Sequence, residues 1–372
     1  MNKSAHACVA VILCLPALAL TQQAYPSTRS AAQSAPSPAP QAPALTQRPA
    51  PTPAPAAEGR VHFDVVVTDK AGKPVSGLEL KDFTLKDNNQ PAKILSFHTI
   101  DATVQQAGPP AEVILLLDAV NLGFMTVSRE RLDIATFLRK NGGHLAQPVS
   151  IFLFTNEGVK VLVQPSTDGN AMAAQLDQAD AGLRAIGRSA GVYGAIERLE
   201  LSLKWITLIA RNEARRPGRK LLIWAGPGWP MLDRPNIETS SKGEQQLFNM
   251  IVELSTTLRE SHTALYSVSL GEPHLGTFLY EDFLKGVKTA DKANPPNLAL
   301  KVLATQSGGR VIAPDNDLAG QIDTCVQDAG AFYTLSFDPP RADKPNEYHD
   351  LKVEIGKPGL TARTSTGYYN QP

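Results

Sequence analysis

Gly187-Arg188-Ser189-Ala190-Gly191 fits G-x-S-x-G, a pattern that can lift a serine onto a strained strand-to-helix turn beside an oxyanion hole. Attack by Ser189 would need a base, for which His262, His274 and His349 lie downstream. Residues 180–186, however, are Ala-rich and charged where such an elbow needs a buried strand, so a serine hydrolase is kept as the alternative reading. A different candidate is Asp118, which ends the apolar run 113–117. Open parallel sheets hold ligands beyond the carboxyl ends of their strands, and Asp118 with Asn121 would stand there. Gly226-Pro227-Gly228 has the outline of a dinucleotide loop, but a proline separates the glycines and Met231 takes the third glycine's place. No His or Cys pair beyond the leader has zinc-ligand spacing. Arg211, Arg215, Arg216, Arg219 and Lys220 cluster at an expected helix end, where the dipole and solvation explain them better than an anion site. Cys325 shares a helical stripe with Leu318 and Ile322 and reads as a small buried apolar side chain.

These residues must be positioned by a chain of 372 residues with 36 Lys+Arg against 36 Asp+Glu and 42% hydrophobic content. That composition fits a globular protein with a sizeable core and argues against a nucleic-acid partner. Lys3, the apolar run 7–15 and Ala17-Leu18-Ala19 predict a secretory signal over 1–19, and Pro16 cuts the run too short to span a bilayer. Export to the periplasm or the medium is therefore expected, with no membrane span in the mature chain. Cys325 is then the one cysteine retained, and no intrachain disulfide can form. Residues 20–59 hold nine prolines between 26 and 55 among Ala, Ser and Gln, the composition of a disordered linker.

From Val61 the rhythm becomes alternating, and short strands are expected within a β-segment at 60–109 and another at 331–372. Neither end makes a stable sheet alone, so the two are expected to pair into a small antiparallel β-subdomain. Between them, apolar runs at 113–117, 149–154, 220–224 and 264–268 alternate with helical stripes at 128–139, 192–211 and 244–260. Helix 298–306, a short strand 310–313 and helix 318–328 continue the pattern. Residues 110–330 thus read as an α/β domain with a doubly wound, mostly parallel sheet.

Several segments carry a resemblance. They are the strand closing on Asp118; Pro217-Gly218-Arg219-Lys220-Leu221-Leu222-Ile223-Trp224 before Gly226 and Gly228-Trp229-Pro230; Gln306-Ser307-Gly308-Gly309-Arg310; and Tyr333-Thr334-Leu335-Ser336-Phe337 through Lys357-Pro358-Gly359-Leu360 to Gly367-Tyr368-Tyr369. Together, over roughly 60–369, they resemble the acidobacterial von Willebrand factor A-related family. The resemblance implies a Rossmann-like von Willebrand A-type domain flanked by β-segments. It also implies a divalent-cation site built from Asp-x-Ser-x-Ser, a threonine before a helix and an aspartate after the fourth strand.

This chain departs from that site. Ala119, Val120 and Leu122 follow Asp118, Arg188-Ser189-Ala190 stands before the long helix, and Ala225 through Gly228 carries no carboxylate. A hard cation takes about six oxygens, usually with more than one anionic ligand. Asp118, Asn121 and Ser189 supply too few, so no cofactor is expected, with Mg or Ca kept as the alternative of a metal-dependent adhesion module. The expected function is an exported, non-enzymatic binding, scaffolding or adhesion module with a degenerate ion site. Its partner would be an extracytoplasmic protein or surface component. Binding is expected at Asp118, Asn121, Ser189, Phe124 and Trp229, with core packing as the other reading of either ring.

Overall fold

The alternation that begins at Val61 forms β1 (Val61–Thr68) in a computed structural model that describes residues 59–102, 111–178, 191–229, 240–271 and 279–372. A tight hairpin follows, β2 (Phe83–Asp87) to β3 (Gln90–Ala92), turning on Asn88 and Asn89, whose φ of 48° and 63° suits asparagine. Then comes β4 (Ser96–Asp101).

The central layer begins with β5 (Glu112–Asp118), an almost unbroken apolar strand, and α1 (Phe124–Arg139). Next come β6 (His144–Thr155), β7 (Gly158–Asp168), α2 (Gly169–Gln178), α3 (Gly191–Glu213) and β8 (Lys220–Ala225). The series ends with α4 (Ser241–Glu260), β9 (Thr263–Val268), α5 (Leu300–Gln306) and α6 (Leu318–Val326). The five strands lie in the order β7-β6-β5-β8-β9, parallel except for β7, which pairs antiparallel with β6 at one edge. Successive strand residues point to opposite faces. Val113, Leu115 and Leu117 share a core with α1, α2 and α6, and Ile114 and Leu116 share another with α3, α4 and α5. The fold is therefore α/β, with a mostly parallel sheet covered on both faces.

Three elements depart from expectation. Residues 310–313 form no strand; single parallel bridges at Ser267–Val311 and Leu270–Asp315 stand in its place. Pro314, which has no N–H to donate, interrupts the ladder between them. The sequence reading also missed β7 and α2. β7 carries Pro165, tolerated because the strand is at an edge, and α2 is only ten residues long.

The chain ends run as β10 (Ala331–Phe337), β11 (Glu347–Ile355), β12 (Thr361–Arg363) and β13 (Gly367–Asn370). They build two antiparallel sheets with the early strands, β12-β1-β10-β4 and β13-β11-β2-β3. Phe63, Val65, Leu85, Leu335, Leu351 and Val353, drawn from both sheets, share one core. Val66 points the other way, into the core that contains Leu115 and Phe332, so β1 is buried on both faces.

One buried carboxylate links these layers. Asp328 accepts from Arg310 (2.9 and 3.2 Å), Arg363 (2.6 Å) and the Tyr266 hydroxyl (2.9 Å). Arg310 also donates to the Gly72 carbonyl, and Arg363 to that of Gly308. The Gln306–Arg310 motif is thus a joint. At Gly309 a Cβ would lie 1.7 Å from the Leu265 carbonyl oxygen, which only glycine permits.

Candidate functional site

Asp118 is the last residue of β5, and its carboxylate is fully buried. Oδ1 accepts from the backbone N–H of Val120 (3.0 Å) and Asn121 (2.9 Å). Oδ2 accepts from the Asn121 amide (2.8 Å) and the Trp224 indole N–H (3.0 Å). A carboxylate offers about four acceptor sites, and four neutral donors of the protein engage this one. Burial raises the Asp118 pKa to about 6, although these donors pull against the shift. The approach is close on the β8 side as well. Gly226, at φ 141°, would place a Cβ 2.9 Å from that of Asp118.

Trp224 is held edge-on between Phe154 and Trp229, each ring centroid 5.4 Å away. Trp229 is only 5% exposed and donates its N–H to the Leu298 carbonyl (3.1 Å). The contact role expected for Trp229 is corrected accordingly: the ring packs in the core and offers a partner almost no surface. Phe124 is placed differently. It opens α1 six residues after Asp118 at 53% exposure, beside Met125 at 77%. Ser189 and His274 lie outside the described residues.

The other two candidate bases, His262 and His349, are tied to aspartates. His262 Nδ1 is 3.2 Å from Asp64 Oδ2, and that charge raises its pKa. His349 Nδ1 is 2.8 Å from Asp87 Oδ1, with its ring stacked on Tyr368. Two members of the basic cluster are also placed differently from the solvated helix end expected of them. Arg219 is buried, donating to the Asp328 carbonyl (2.9 Å) and the Tyr266 hydroxyl (3.1 Å), and lies over the Phe332 ring. Lys220 is buried as well and donates to the Ser261 carbonyl (3.3 Å). Cys325 is buried, and burial pushes its thiol upward.

Sequence reasoning missed Glu130. It lies on the inward face of α1, fully buried, and among the described residues neither carboxylate oxygen has a well-aligned hydrogen-bond partner, although the Leu270 backbone pulls weakly towards the charged form. Burial first, and then the charges of Asp118 and Asp133, raise its pKa to about 8, so it is mostly protonated at neutral pH. The signal was present: Val127, Glu130, Ile134 and Phe137 follow the 3-4-3 spacing of a buried helix stripe.

No protein-family model and no curated protein matches the sequence. Among solved structures, the chain is similar to the conserved hypothetical protein BatB from Bacteroides thetaiotaomicron. The identity is 12%, covering 59% of this chain and 97% of that one, at a TM-score of 0.29. It is similar to the SpRpn10 VWA domain at 11% identity, covering 60% of this chain and 98% of that one, at a TM-score of 0.30. For the N-terminal domain of TFIIH p34 the values are 13%, 44%, 81% and 0.24. The fold description rests on the strand order and the two covered sheet faces, not on these low scores.

Proposed function

We propose that the chain is an exported, non-enzymatic binding module of von Willebrand A type that contacts a protein partner through its strand-end loops without a bound cation. The observation carrying this reading is the exposure of Phe124 and Met125 beside an Asp118 turn whose acceptors are already engaged. Adjacent large apolar side chains at a helix start suit a contact surface, because aromatic and flexible sulfur-containing residues supply much of the energy in protein recognition. Engagement of Asp118 by Asn121 and Trp224 supports a role for that residue in shaping the loop rather than in holding a ligand. Among the described residues, no helix is long and apolar enough to cross a membrane. Export itself rests on Lys3, the apolar run and Ala17-Leu18-Ala19, and recovery of a chain beginning near Leu20 from the periplasm or medium would support it.

The test is capture from an envelope fraction, with chelator present. Phe124→Ser combined with Met125→Ser should lower recovery of the captured protein about ten-fold, the scale of a lost hot spot, and leave thermal unfolding unchanged. Equal capture by the folded double variant would reject the surface.

A further inference from the structure

A second feature lies at the opposite end of the parallel strands, beside the start of the edge strand β9 rather than at the end of the central β5. There, a solvent-open cavity of about 890 Å³ is lined by Arg60, His62, Arg259, Glu260, His262 and Tyr368, among others. Its volume falls within the range of small-molecule sites. Arg60 is paired with Asp338 at 2.8 Å, and His262 with Asp64. Arg259 and His62 are less well provided for.

The Arg259 side chain is only 13% exposed, and its carboxylate contact is the neighbouring Glu260 at 3.4 Å, which is itself 63% exposed. Among the described residues, Arg259 Nε is buried without a partner, as is His62 Nε2. A guanidinium has five N–H donors and cannot discharge itself, so burying one short of acceptors is costly. Burial lowers the pKa of both groups, and His262, Arg60 and Arg259 each lower that of His62 further, as expected where positive charge outweighs negative. Glu260 is the acidic side chain on this wall, and Asp64 reaches it through His262.

We infer that this cavity binds a small molecule carrying an oxyanion, either phosphate or carboxylate, with Arg259 as its principal partner and His62 as the second. An oxyanion supplies the acceptors that the guanidinium lacks, and arginine's planar fork suits both groups. The remainder of the ligand would lie along Thr256, Asn370 and Gln371, beside Val61 and Pro372, a wall of mixed character whose polar groups can serve a hydroxylated carrier.

The test follows the imidazole C–H signals of His62 and His262 by NMR in the full chain, titrated separately with inorganic phosphate, glucuronate and neutral glucose. At least one anion should produce a saturable shift at His62, and glucose should produce none. The anion that acts tells phosphate from carboxylate. Arg259→Gln should weaken the response about ten-fold or abolish it while the buried Trp224 indole signal stays in place. Should that variant fail to fold, His62→Gln, read at His262, must show the weakening instead. No saturable shift with either anion, an equal shift with glucose, or an unchanged response in the folded variants would overturn the proposal.

Discussion

Asp118 and Asp328 are both fully buried carboxylates, yet the protein satisfies them in opposite ways. Asp328 is met by two guanidinium groups and a tyrosine hydroxyl drawn from β9, β12 and the loop at Arg310. Asp118 is met by two backbone N–H groups, an amide and an indole, none of them charged. The difference follows from what each position joins. Asp328 locks the parallel sheet to the strands of the two chain ends, and charge-assisted bonds suit a joint between layers. Asp118 terminates a strand beneath a loop, and neutral donors fix that loop while burial, the larger effect, raises the carboxylate's pKa to about 6.

The largest expected effect tests the joint as a whole. Deleting residues 331–372 removes β10, which pairs with β1, and β11, which pairs with β2, and so leaves the early strands with open edges. Amide exchange over residues 61–67 should accelerate towards the unstructured rate; unchanged protection would mean that β1 is held by the α/β layer alone. Asp328→Ala comes next. It leaves Arg310 and Arg363, both mostly covered at 19% and 24% exposure, without their buried carboxylate, a loss of about 3–5 kcal/mol measurable by denaturant titration. Asp118→Ala strands only neutral donors, and about 1–3 kcal/mol is expected. Equal losses in the two variants would erase the contrast.

Glu130 sharpens the Asp118 side of the comparison. Its pKa is raised in the folded chain from an ordinary 4.5 to about 8. Between those values the native state holds a proton that the unfolded chain has released, so stability should fall as pH rises through that window and level off above it. Glu130→Gln removes the titration and should flatten the stability profile over pH 5–8, stabilising the protein most at the alkaline end. A profile unchanged by the substitution would show that Glu130 is not the group responsible.

Much of the fold was legible because its signals are local. The apolar strands at β5, β8 and β9 and the stripes of α3 and α4 emerged within a few residues of their bounds, whereas β7 and the bridges around Val311 depend on prolines and edge position. The site was legible in its local residues, Asp118, Asn121 and Phe124. Asp118 is marked by the strand it ends, but the Trp224 N–H that engages it comes from 106 residues away. Arg363 and Tyr266 reach Asp328 across 35 and 62 residues, and no spacing rule links them. Phe124 and Trp229 look alike as exposed-loop aromatics in sequence; only packing against Trp224 separates the buried ring from the exposed one. Glu130 could have been found, since a carboxylate in an apolar stripe is visible without a structure.

The Asp118 turn is completed by the protein's own donors, and the proposal that it works without a cation is open to direct measurement. Calorimetric titration of the chelator-treated full chain with Mg, Mn and Ca tests it most directly. The account predicts no saturable heat tighter than about millimolar, the weak end of extracellular cation sites. A micromolar site that disappears in Asp118→Ala would contradict it, showing that a cation displaces Asn121 or Trp224 from the carboxylate.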